Sequence, residues 1–154
     1  MFTIIAVTEK QLTAHDVQRL AHLHDPDPVI VHVVVPFHEG GLVESLDDLA
    51  LGHRPGDDDV PDADQESVAS DAAASSVQAL LAGGVSEAFG TTAPSDPVVA
   101  VREVADRVQA DEVWVFTEPH LIQDSFRRDW GSRIRREVPL PVLHVVAGTD
   151  RLLS

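Results

Sequence analysis

The chain has 154 residues, 44% of them apolar, which suits one domain with a real core and excludes a disordered polymer. Eleven basic residues stand against 26 acidic ones, a formal charge of −15, so the molecule as a whole repels nucleic-acid phosphates and an anion site must be made locally. There is no cysteine, no basic-then-apolar leader in MFTIIAV and no apolar run near the ~18 residues of a membrane span, so disulfides and thiol catalysis are excluded and a cytoplasmic, membrane-free setting is expected.

Phe2 to Val7 is a short apolar run and predicts the first strand. Thr13-Ala-His-Asp16 has the form of a capping box, with Thr13 as N-cap, and opens a helix with Val17, Leu20, Ala21 and His24 on one stripe. The run Asp25-Pro26-Asp27-Pro28 ends that helix. Val29 to Val35 is continuously apolar except for His32, which suits a parallel strand covered on both faces. A helical turn is expected near 43–51. Residues 44–71 hold ten acids and one basic residue, Arg54, and the stretch of about 52–66 reads as a mobile acidic loop. Gln65 to Ala82 is alanine-rich and predicts a helix lying close to a sheet, stopped by Gly83-Gly84. Val85 to Thr91 predicts a strand interrupted by Gly90. Ser95-Asp96-Pro97 forms a helix start, and Val98, Val101, Val104 and Val108 keep helical spacing behind it. Asp111 to Thr117 predicts a strand, Ser125 to Val138 a helix, and Pro141 to Ala147 the last strand.

Strand and helix therefore alternate to a final strand, which predicts a single α/β domain over 1–154: an open five-stranded parallel sheet with helices on both faces. In such sheets ligands sit beyond the carboxyl ends of the strands, here at Thr8, near Val34 and at Thr117. Five of the eleven basic residues, Arg127, Arg128, Arg133, Arg135 and Arg136, fall inside ten positions of this acidic chain. Forked arginine hydrogen bonds suit phosphate. At 100° per residue these five cannot all face one site, so a solvated helix face accounts for most of them and Arg127 and Arg128 keep the functional role. Gly131-Ser132 interrupts the helical pattern and allows two readings. Either a helix begins there, with Ser132 capping and backbone N–H groups facing an anion, or Gly131 marks a kink or a tight contact with Trp130. His32 and His144 sit inside strands and are expected to be buried and hydrogen-bonded. The other histidines lack the spacing of a metal site, and DDDVPDAD lacks that of a calcium loop.

No G-x-G-x-x-G opens a helix, and there is neither a G-x-x-x-x-G-K-[ST] loop nor a G-x-S-x-G elbow, which leaves an enzyme reading without support. A nucleotide-using enzyme of the same superfold would need a phosphate motif near the first strand, and TEKQLTAHD does not supply one. A phosphoacceptor receiver domain fails too, since TEK, TTA and GTD follow strands 1, 3 and 5 in place of its acids and lysine.

The order of elements, the His32-Val33-Val34-Val35 end of the second strand, the long loop after it, and Gly131-Ser132 followed by PVLHVV together resemble the universal stress protein family. The resemblance spans the chain and is specific in its C-terminal third. It implies strand order 3-2-1-4-5, a non-catalytic protein and a homodimer through strand 5, residues 141–147. An apolar edge without a lysine would also invite such pairing if it were uncovered. ATP-binding members carry G-x2-G-x9-G-[ST] after strand 4 and an Asp at the end of strand 1. Counting back from Gly131-Ser132, the glycine positions fall on Leu121 and Glu118, and strand 1 ends in Thr8. The spacing survives while the glycines do not, and Glu118 would set a carboxylate among phosphates. The resemblance thus implies weak or lost ATP binding. The alternative is an adenine nucleotide or other phosphorylated ligand held by Thr8, Val34, Thr117, Arg127, Arg128, Gly131 and Ser132.

Overall fold

The computed structural model describes residues 1–37, 62–94, 97–119 and 125–152. The helical turn expected near 43–51, most of the acidic loop, the Ser95-Asp96 start and Leu121 lie outside the described residues. The elements are β1 (Phe2–Thr8), α1 (Ala14–His22), β2 (Val29–Phe37), α2 (Asp62–Ala82), β3 (Glu87–Pro94), α3 (Val98–Val108), β4 (Glu112–Thr117), α4 (Ser125–Glu137) and β5 (Val142–Val146). All strands pair in parallel in the order β3-β2-β1-β4-β5, the order that the resemblance implied.

Alternation along the strands builds two cores. Ile4, Ala6, Val31, Val33, Val35, Trp114 and Phe116 face α1 and α2, where Val17, Leu20, Ala69, Ala73 and Leu80 meet them. Ile5, Val7, Val34, Val113 and Val115 face α3 and α4, against Val98, Val101, Val104, Ile134 and Val138. The central strands are apolar over most of their length because both faces are covered.

Several local expectations shift. The α2 helix begins at Asp62, so residues 62–66, assigned to the acidic loop, are helical. Val85 does not open β3. It is buried in the first core while its N–H donates to the Leu80 carbonyl at 3.1 Å, anchoring the turn after Gly83-Gly84. The strand instead runs on to Pro94, which an edge strand tolerates. Gly90 does not break it. A Cβ there would lie 3.1 Å from the Ala73 Cβ, so Gly90 and the small side chains of α2 let that helix approach the sheet. Pro97 takes the N-cap position of α3, and Gln109, at φ 54°, ends that helix in the left-handed region.

The outer edge of β5 is not bare. After the strand the chain turns back, Leu152 bridges Val145 in antiparallel fashion, and the Val146 N–H donates to the Arg151 carbonyl at 2.9 Å. The chain's own turn thus meets that edge at its C-terminal end.

Candidate functional site

The order of strands reverses between β1 and β4, whose last pair is Thr8 with Phe116. A crevice for a ligand belongs above this point. Beside it the β1–β2 ladder stops at Val7–Val34, while β2 continues against β3 to Phe37.

The side chains of Thr8, Val34 and Thr117 divide between the two faces of the sheet. Thr8 continues the Ile4–Ala6 row toward α1 and α2; it is buried, and its hydroxyl donates to the Lys10 carbonyl at 2.8 Å. Thr117 continues the Val113–Val115 row toward the opposite face. It too is buried, and its hydroxyl lies 2.5 Å from Nε2 of His144. The Val34 side chain is fully inside the second core, and β2 runs on beyond the end of its pairing with β1, at 35–37.

Gly131 and Ser132 do not begin a helix. The α4 helix starts at Ser125 and runs through both. Their N–H groups point along the helix toward carbonyls four residues back, as those of interior helical residues do. An anion needs the unpaired N–H groups of a first turn. The first turn here is 125–128, and it contains Arg127 and Arg128, whose side chains lie outside the described residues. Gly131 is a close-packing residue against His144: a Cβ at 131 would sit 2.9 Å from His144 Nδ1. Ser132 is exposed.

His144 is thus held between Thr117 and the α4 backbone, only 5% exposed. Burial first, and the Arg135 guanidinium second, push its pKa down from 6.5 to about 4, so the ring is neutral near pH 7. His32 is half-buried and stacks on Phe89 with ring centroids 5.0 Å apart. Burial and then Arg107 lower its pKa against a smaller upward pull from Glu87.

The remaining arginines scatter, as helical geometry demanded. Arg135 reaches the Val142 carbonyl on β5, and Arg136 is exposed. Glu118, half-buried, follows β4 directly at the position of the first glycine of the ATP signature. Among the described residues no three His, Asp or Glu side chains converge as a metal site requires, and no helix is long and apolar enough to cross a membrane.

Comparison with solved structures now adds to this geometry. A universal stress protein in complex with cAMP matches 96% of this chain and 98% of its own, with 18% identity and a TM-score of 0.56. The universal stress protein from Archaeoglobus fulgidus in complex with dAMP matches 94% of this chain and 97% of its own, at 18% identity and a TM-score of 0.56. The chain has the universal stress protein fold. A hypothetical protein solved to assign a biochemical function from structure matches the same fold at a TM-score of 0.64 with 11% identity, over 96% and 97% of the two chains. Comparison with protein-family models and with curated proteins finds no match.

Two features of this universal stress protein fold escaped the sequence reading. The first is the His144–Gly131 contact, for which the signal was a polar residue on the inner face of β5 opposite a glycine in the covering helix. The second is Asp16. It was read as part of a capping box, and Asp16 N–H does donate to Thr13 Oγ1 at 3.2 Å. Its Oδ2 also accepts the N–H of Gly148, 132 residues away, at 2.9 Å.

Proposed function

We propose that this chain is a non-catalytic protein of the universal stress type, acting as one domain in the cytoplasm, in which the phosphate end of the ATP site has become a packing contact. One observation carries the reading: α4 runs from Ser125 through Gly131-Ser132, with Gly131 seated on buried His144. A loop that wraps phosphates must present several free N–H groups with no side chain in the way. Here the two residues that retain the signature are inside a helix, and Glu118 adds a negative charge beside the crevice. The formal charge of −15 argues in the same direction, against polyanionic partners such as nucleic acid.

A second reading keeps an adenine mononucleotide. It is favoured by the complexes of the fold neighbours, one with cAMP and one with dAMP. The adenine would lie along 35–37, beyond Val34, and Arg127 and Arg128 in the first turn of α4 would meet a single phosphate. Mass spectrometry of small molecules released on denaturing freshly purified protein separates the two. The first reading expects no nucleotide. A stoichiometric adenine mononucleotide would replace it with the second, and Arg127→Ala and Arg128→Ala should then empty the site.

A further inference from the structure

The first margin of the sheet is β3, which pairs on one side only, with β2. Just before it, the Ser86 N–H donates to the Val29 carbonyl at 2.9 Å. Backbone direction alternates along a strand. Ala88 and Gly90 therefore also turn their N–H and C=O groups toward β2, while Glu87, Phe89 and Thr91 turn theirs outward. Among the described residues nothing bonds to those outward groups. Edges of this kind recruit another strand unless a charge, a proline, a bulge or a covering element blunts them. Proline enters β3 only at its last residue, Pro94, and Ala88 to Ala93, AFGTTA, carry no charge.

Both faces beside this edge offer apolar contact. On one lies Phe89, 51% exposed and stacked on His32. On the other, Val77 of α2 packs over Gly90, with Cγ2 3.3 Å from where a Cβ would stand, and Leu81 follows one helical turn on, 48% exposed. The charge here is one-sided. Residues 62–94, which form α2 and β3, contain Asp62, Asp64, Glu66, Asp71 and Glu87 and no Lys, Arg or His. On the Phe89 face Arg107 offsets Glu87, since both act on His32. Nothing basic within α2 offsets its acids.

We propose that the outer edge of β3 is a docking surface for an extended segment of a partner protein whose residues alternate between apolar and basic. Such a segment adds a strand to the sheet through the outward groups of Glu87, Phe89 and Thr91. Its apolar side chains lie beside Phe89 and its Lys or Arg side chains on the α2 side. A second copy of this chain is the poorer occupant, because it would set one acidic α2–β3 unit against another in molecules of −15 each. The proposal stands apart from the nucleotide reading, whose residues lie at the ends of β1, β2 and β4 and in α4.

The test uses the full-length chain, labelled for nuclear magnetic resonance, and a capped peptide of alternating Lys and Val as the probe. In the free chain the N–H groups of Phe89 and Thr91 should exchange with deuterium fast and those of Ala88 and Gly90 slowly. Added probe should protect Phe89 and Thr91 at sub-millimolar concentration, less so as salt is raised. Thr91→Pro removes an outward donor and leaves the β2 ladder intact, and Phe89→Ser removes the exposed ring. Each should weaken binding at least tenfold, with slow exchange of Ala88 and Gly90 confirming that the sheet is unchanged. No protection at millimolar probe, a folded Thr91→Pro chain that binds as well as the unaltered one, or equal binding of an alternating Glu and Val peptide overturns the proposal. So does protection of Phe89 and Thr91 in the free chain, which, if it grew with protein concentration, would identify a second copy as the occupant.

Discussion

Gly131 brings two opposing effects to one position. Alanine would be a better helix former by about 1 kcal/mol. Its Cβ, however, would fall 2.9 Å from a ring atom of a buried histidine, and overpacking of this kind costs roughly 1–3 kcal/mol. The contact should win, so Gly131→Ala is expected to lower the urea midpoint; a higher midpoint would mean that His144 has room to move aside. His144 also makes stability pH-dependent in a definite direction. Its folded pKa of about 4 lies below the ordinary 6.5, so between these values the unfolded chain binds the extra proton. Stability from this group is undiminished above pH 6.5, falls as pH drops from 6.5 to about 4, and then levels off, a loss of about 3 kcal/mol at most. Carboxylates titrate nearby in pH, so the measurement is a difference: His144→Asn should flatten the slope between pH 6.5 and 4 relative to the unaltered chain. Parallel slopes would remove His144 as the cause.

At the scale of elements, the central strands were legible because each is a short apolar run with turn residues at its ends, and a doubly covered sheet asks for little else. Misread elements share a cause. Val85 was apolar and adjacent to strand residues, yet its apolar side chain serves a turn that α2 closes over. Gly90 resembled a break and is a place where a helix comes close. Gly131-Ser132 had the local form of a helix start, but the choice depended on His144, thirteen residues on and on another element. Glycine signals a backbone requirement without saying whether it is a turn, a ligand or a neighbour, and tertiary contact decides. The packing of α2 yields its own test. Ala73 is buried and touches the space over Gly90, so Ala73→Leu should overpack that layer and cost about 1–3 kcal/mol, whereas an exposed neighbour such as Ser70→Leu should change little. Equal effects at both positions would contradict the close approach.

For the whole molecule, strand order and layer arrangement were readable from the alternation of elements. The candidate site was readable only as a location. Its chemistry depends on whether N–H groups are free, which follows from where α4 starts. The turn that meets the end of β5 was illegible for a similar reason: it needs Gly148 and the reach of Asp16 across the length of the chain. This universal stress protein fold keeps the spacing of a phosphate signature with Gly131 and Ser132 inside α4. The most direct test is calorimetric titration of the purified chain with ATP and magnesium. The account predicts no heat of binding up to millimolar nucleotide from a fully folded protein, while micromolar ATP affinity would contradict it and return Gly131, Ser132 and the arginines of α4 to a working phosphate site.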